Sequence, residues 1–191
     1  LVLWLMSNFF GFIFFIITIW VYYFFRDPDR TIILDDNFLV SPADGIISGI
    51  KEINGPVELG LENQTFTRVS IFMNVFDCHV NRTPCSGRIT EKLYKPGKFF
   101  NASLDKASEE NERNYYKISN LNGEDIVVVQ IAGLIARRIV TEVDENSELK
   151  QGDRIGMIRF GSRVDIYFNN YNPLVKVNQK TIAGETLLAK K

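Results

Sequence analysis

The segment Arg159-Phe160-Gly161-Ser162-Arg163-Val164-Asp165 sets a Gly-Ser step between two apolar runs, 155–160 and 164–168. Alternation without a helical period predicts strands on both sides. A glycine inside such a pattern marks a bulge or a close backbone approach, and it leaves its own carbonyl unshielded. The hydroxyl of Ser162 lies next to the carbonyl of Gly161 in the chain. With strain in that peptide and a base nearby, the hydroxyl can attack the carbonyl. A plain bulge is the competing reading of the same pair.

The base must come from another segment. His79 is the one histidine of the chain, and no other side chain titrates near neutral pH without a shifted pKa. It follows the apolar run 69–76 and is expected at a strand end, where a hydrogen-bonded structural histidine is the plainer reading. Asp44 sits in Pro42-Ala43-Asp44-Gly45, a pattern that also makes an ordinary turn. Cys78, His79 and Cys85 offer three ligands for a zinc ion, but two are adjacent and the spacing matches no finger. No metal is therefore expected.

These residues need a scaffold. The chain has 191 residues and a net charge of −1, which gives no electrostatic argument for nucleic acid. Its two cysteines are too few for a disulfide framework and fit a reducing compartment. From residue 39 onward, runs rich in β-branched residues (46–53, 67–76, 126–131 and 135–143) predict strands. Asn122-Gly123 predicts a hairpin between 115–118 and 126–131, and Gln151-Gly152-Asp153 a second turn. The polar stretch 103–114 reads as a surface loop or short helix. The fold class expected is mainly β, a compact antiparallel sandwich or barrel-like domain over residues 39–191.

The first 25 residues are uncharged and mostly aromatic or aliphatic. As a helix they would reach about 37 Å, against a hydrocarbon core of roughly 30 Å. Residues 1–25 are thus expected to form a hydrophobic membrane anchor, with spanning and dipping into the interface both open. Trp20, Tyr22 and Tyr23 lie where interfacial aromatics belong, and Arg26 and Arg30 place the following domain in the cytoplasm. Asp27-Pro28-Asp29 breaks the helix and opens a linker over 26–38. The chain begins at Leu1 rather than Met, so upstream sequence is expected.

Five blocks, in order, resemble the short form of the phosphatidylserine decarboxylases. They are Ser41-Pro42-Ala43-Asp44-Gly45, Cys78-His79-Val80-Asn81-Arg82, Pro96-Gly97-Lys98-Phe99-Phe100-Asn101, Gln130-Ile131-Ala132-Gly133-Leu134-Ile135-Ala136-Arg137-Arg138 and Phe160-Gly161-Ser162-Arg163-Val164-Asp165. The resemblance implies a proenzyme that cuts itself between Gly161 and Ser162. Ser162 Oγ would attack the Gly161 carbonyl to make an ester. Loss of the Ser162 Cα proton would expel the Gly161 carboxylate, and hydrolysis with release of ammonia would leave a covalent pyruvoyl cofactor at position 162. That ketone would form a Schiff base with the amine of phosphatidylserine and take up the electrons left by carbon dioxide, giving phosphatidylethanolamine.

The resemblance also assigns roles. Asp44, His79 and Ser162 would form the triad for self-cleavage, and His79 would be the proton donor in turnover. Many relatives carry His-x-x-His at this block. Here Arg82 replaces the second histidine, and it cannot act as a base at neutral pH, though it can bind an oxyanion or carboxylate. Lys98 lies among Lys95, Phe99 and Phe100, a composition suited to an interfacial loop. Arg137 and Arg138 are candidates for the substrate phosphate or carboxylate. Together with Arg82 and Lys98 they form the expected substrate-binding set. The partners implied are phosphatidylserine, membrane lipid, and the two cleaved chains as a heterodimer, with portions 39–161 and 162–191. The expected location is the cytoplasmic face of a bacterial inner membrane. Two rivals stand beside this reading. Asp105-Lys106-Ala107 is the tripeptide of lipoyl or biotin-type carrier domains, and a membrane-anchored β module that only binds partners would carry neither cut nor ketone.

Overall fold

The computed structural model describes residues 2–100, 110–134, 138–159 and 162–191, with side chains from Asn8 onward. The Gly161 half of the proposed cleavage site, Arg137 and the Asp105-Lys106-Ala107 tripeptide fall outside the described residues. Helix α1 covers Val2–Phe24. It stops before Pro28, which has no N–H to continue a helical ladder. Among the described residues no helix is long and apolar enough to cross a membrane, so the spanning form of the anchor expected over residues 1–25 is not borne out. Phe12, Phe14, Phe15 and Tyr22 of α1 are exposed.

The rest is β structure. Strands β1 (Phe38–Val40), β2 (Gly45–Asn54), β3 (Thr65–Met73), β4 (Val80–Arg82) and β5 (Gly87–Lys95) are followed by β6 (Arg113–Asn120), β7 (Asp125–Ala132) and β8 (Ile139–Thr141). Then come β9 (Glu148–Leu149), β10 (Arg154–Ile158), β11 (Ser162–Phe168), β12 (Asn172–Pro173), β13 (Lys180–Thr181) and β14 (Leu187–Lys190). The large sheet has the order β13-β2-β3-β11-β7-β6-β5-β9, and two three-stranded sheets, β1-β14-β12 and β4-β10-β8, accompany it. The pairings between these strands are antiparallel, and the mainly β expectation holds.

The hairpin at Asn122-Gly123 forms as read, with Gly123 at φ 75° joining β6 to β7. Its neighbour Asn120 accepts the amides of Asn122 and Glu124 through Oδ1, which fixes the turn. The turn at Gln151-Gly152 also forms, with Gly152 at φ 85°. A Cβ there would meet Ile32 Cδ1 at 2.3 Å, so the close approach of residues 26–38 to the domain depends on glycine. Those residues lie along the β domain: the amide of Thr31 donates to Glu185, and that of Asp35 to Gln151.

The polar stretch expected as surface is different at its end. Asn111, Glu112, Arg113 and Asn114 are buried, and the last two open β6. Polarity misled here because the Asn111 amide is a cross-tie. Its Nδ2 donates to the carbonyls of Phe100 and Ala132 at 2.8 and 2.7 Å.

Strand β11 lies between β3 and β7, and all seven of its residues are buried. A strand covered on both faces must satisfy two environments. Val164, Ile166 and Phe168 join the main core with Ile71 and Met73 of β3 and Val128 and Ala132 of β7. Tyr167 joins a second cluster on the opposite face, with Val127, Val129 and Ile131, under the covering residues Leu59 and Leu61. Each such apolar side chain contributes roughly 1.5–3 kcal/mol when buried. The two faces together fix the register, since a one-residue slip would exchange them.

Candidate active site

Ser162 is the first residue of β11. It pairs with Met73 on one side and Ala132 on the other, so its side chain faces the main core. It is fully buried, and its hydroxyl donates to Met73 Sδ at 3.4 Å. A thioether is a weak acceptor. Among the described residues this weak bond is the one the hydroxyl makes, which suits a nucleophile awaiting a base.

His79 precedes β4 and is fully buried. Its carbonyl accepts the amide of Ile158, the last residue of β10. This ladder brings the histidine to the end of the strand that leads into the Gly161–Ser162 step. Nδ1 lies 2.9 Å from the carbonyl of Asp77. A carbonyl can only accept, so Nδ1 carries the proton and Nε2 keeps its lone pair. Burial pushes the imidazole pKa down to about 4, with Arg26 lowering it further and the Asp77 bond and the charge of Asp44 acting the other way. The ring is therefore neutral at pH 7, the state a general base needs.

Asp44 stands before β2. Its carboxylate accepts from Arg30 Nη2 at 2.9 and 2.8 Å, and from the amide of Ala183 at 2.8 Å. It reaches His79 as a charge rather than by a hydrogen bond. The following Gly45, at φ 153°, permits the close start of β2 against β3: a Cβ would lie 2.2 Å from the Phe72 carbonyl oxygen. His79 is thus tied by its carbonyl to the end of β10, with Asp44 in electrostatic range of the imidazole, while Ser162 opens β11.

The other candidates lie as follows. Arg82 is buried and committed: Nη1 donates to the Gly152 carbonyl at 3.0 Å and Nη2 to Asp27 at 3.0 Å. It ties the segment after α1 to β4. Lys98 is exposed and pairs with Glu110 at 2.9 Å, beside the Phe100 ring. Arg138 is exposed, and its carbonyl accepts the Arg159 amide. Cys78 and Cys85 are free thiols, and burial raises the pKa of both, Cys85 to about 12. Among the described residues, no three His, Cys, Asp or Glu side chains are grouped to hold a metal ion.

Sequence reasoning missed a buried polar chain behind Ser162. Asn81 Nδ2 approaches the same Met73 sulfur at 3.7 Å, Gln130 Nε2 donates to Asn81 Oδ1 at 2.9 Å, and Asn114 Nδ2 reaches Gln130 Oε1 at 3.4 Å. All three amides are fully buried. A signal for Gln130 existed: it is the polar residue at an inward position of an otherwise apolar strand. Arg30 was seen only as a basic flank, and its grip on Asp44 has no local sequence signature.

The model of the family described as phosphatidylserine decarboxylase matches residues 17–189. The chain is 69% identical over 189 residues to a phosphatidylserine decarboxylase proenzyme of Pelagibacter ubique, covering 99% of this chain and 88% of that protein. It is 55% identical over 174 residues to the proenzyme of Ruegeria pomeroyi, with 91% and 80% covered. It is also 55% identical over 180 residues to that of Rickettsia typhi, with 94% and 78% covered. On the strength of a match that runs through every segment of the site, the chain belongs to the phosphatidylserine decarboxylase family.

Proposed function

We propose that this protein decarboxylates phosphatidylserine to phosphatidylethanolamine, after cutting itself between Gly161 and Ser162. The observation that carries the reading is the placement of Ser162. A serine buried at the start of a central strand, weakly bonded to a thioether, has no evident structural purpose. It fits the source of a covalent pyruvoyl group, because the position is buried and fixed by pairing on both sides, and a neutral imidazole just before β4 would serve as its base.

In maturation, His79 Nε2 would take the hydroxyl proton as Ser162 Oγ attacks the Gly161 carbon. The C–N bond then breaks, and the proton goes to the released amine. Asp44 would favour the imidazolium through its charge, and Arg30 would hold that carboxylate in place. A pyruvoyl carbonyl at position 162 would supply the electron sink that decarboxylation requires. In turnover, His79 would hold the proton delivered to the carbon that has lost carbon dioxide. The products of the cut would remain paired as a heterodimer, because β11 is held between β3 and β7 of the larger chain.

Residues 1–25 would anchor the protein to the cytoplasmic face of a bacterial inner membrane, with the exposed aromatics of α1 in the lipid and Arg26 and Arg30 at its surface. Lys98 and Phe100 would meet the headgroup layer, and Arg137 and Arg138 the substrate anion. The test is carbon dioxide release from phosphatidylserine in detergent micelles by the purified protein. Release that is absent from a fully cut preparation would contradict the reading. Deleting residues 1–25 should free the protein from membranes, and unchanged membrane binding would move the anchor elsewhere.

A further inference from the structure

The stretch that leaves α1 contacts the segments that carry His79 and Asp44. Phe24 is fully buried, and its ring centroid lies 4.3 Å from that of His79 at an interplanar angle of 35°. Arg26 Nη2 donates to the Phe76 carbonyl at 2.8 Å, and Cys78 Sγ donates back to the Arg26 carbonyl at 3.3 Å. These bonds fasten the strap to the loop that carries His79. Asp27 is held by Arg82 at 3.0 Å and also by Arg154. Arg30 takes both oxygens of Asp44. Upstream, Phe12, Phe14 and Phe15 are exposed at 63%, 66% and 61%, so the buried grip of α1 on the β domain is at its C-terminal end.

We propose that Phe24 and Arg30 are positioning residues for the reaction: Phe24 fixes and shields the imidazole of His79, Arg30 fixes the carboxylate of Asp44, and the seating of α1 sets both. This rests on the assignment of His79 and Asp44 to the site. The physical basis is direct. The ring face of Phe24 and the Asp77 carbonyl constrain the imidazole from two directions. Removing Phe24 would admit water to the imidazole. Removing Arg30 would leave the charge of Asp44 uncompensated beside it. Both changes favour the imidazolium. The charged and titratable groups around the ring are Arg26 and Arg30 on the strap, Asp77 and Cys78 on its own loop, and Asp44 before β2.

A chain with one histidine permits a clean test, because the imidazole signal in a nuclear magnetic resonance titration is unique. In the uncut Ser162→Ala background, the His79 midpoint should lie well below 6.5. Adding Phe24→Ala or Arg30→Gln should raise it by about one pH unit or more. Adding Leu121→Ala, in the distant hairpin turn, should leave it in place. In chains that retain Ser162, Phe24→Ala should lower kcat per cut chain about tenfold with little change in KM, the mark of a misplaced group. Phe24→Tyr should restore it. Phe24→Leu keeps the apolar volume without the ring face and is judged by the same criterion if the alanine variant does not fold. An unmoved midpoint in the Phe24 and Arg30 variants overturns the proposal, and so does lower turnover without a shift, which marks a merely structural role. Absence of turnover in the parent protein would instead sink the functional reading, while the titration would still decide the role of the strap.

Discussion

On the outer face of β11, Arg163 and Asp165 are both buried, and Nη2 donates to Oδ2 at 2.9 Å. On the inner face of the same strand, Ser162 donates to a sulfur at 3.4 Å. Tyr167 of the outer face lines a cavity of about 360 Å³ with Arg68, Arg113, Tyr115 and Glu58, and Lys95 and Arg113 lie 2.8 and 3.4 Å from the Glu58 carboxylate. A close buried ion pair suits a structural role, because each charge is held by the other. The weak bond at Ser162 is what a nucleophile requires. On the proposed reading, the outer face fixes the strand while the inner face presents the Ser162 hydroxyl.

The largest effect expected from breaking this contrast is at Ser162. Ser162→Ala should leave the chain uncut and without activity, since no hydroxyl remains to attack, while a thermal melt should show the fold intact. Cleavage of that variant, read on a denaturing gel, would remove Ser162 from the mechanism. His79→Ala comes next. It should slow carbon dioxide release per cut chain on the order of 10²–10⁴-fold and accumulate uncut chain, with added imidazole restoring both in part. Wild-type rates without rescue would exclude the imidazole.

The outer face should respond in stability rather than chemistry. Arg163→Met leaves Asp165 buried without its partner, and breaking a buried pair costs about 3–5 kcal/mol. Urea unfolding of the uncut Ser162→Ala chain should show that loss. In the Ser162-bearing form, the fraction that folds should still cut at the wild-type rate. Slow cutting by fully folded Arg163→Met would mean that the two faces are not separable.

The smallest effect is a pH dependence. The folded pKa of His79 lies below its unfolded value, so between about 6.5 and about 4 the unfolded chain binds more protons. Stability should therefore fall as pH falls through that window, by on the order of 3 kcal/mol at its lower end, and change no further on this account below it. His79→Gln in the uncut background should remove this part of the pH dependence. Identical pH dependence in both chains would mean that the imidazole is not desolvated.

The sequence made the site residues legible more readily than their connections. Ser162, His79 and Asp44 stood out because each has a rare type or a marked neighbour, and five ordered blocks tied them to one chemistry. The main strands were legible where β-branched residues alternate, as in β2, β3, β7 and β11. The contacts that orient the site were not, because they join residues far apart in the chain. Arg30 meets Asp44 from 14 residues upstream, Phe24 meets His79 from a helix read only as an anchor, and Asn81 meets Gln130 from another sheet. The short strand β4 escaped notice because three residues carry no detectable period.

The central claim is that Ser162 is the source of the reactive ketone. It is tested most directly by the intact mass of the purified wild-type protein. The account predicts two chains, one ending at Gly161 and one beginning at position 162. The second should be blocked to Edman degradation and lighter than a serine-ended peptide by the mass of one ammonia molecule. A single uncut chain, or a small chain with an ordinary serine amine at its end, would contradict it.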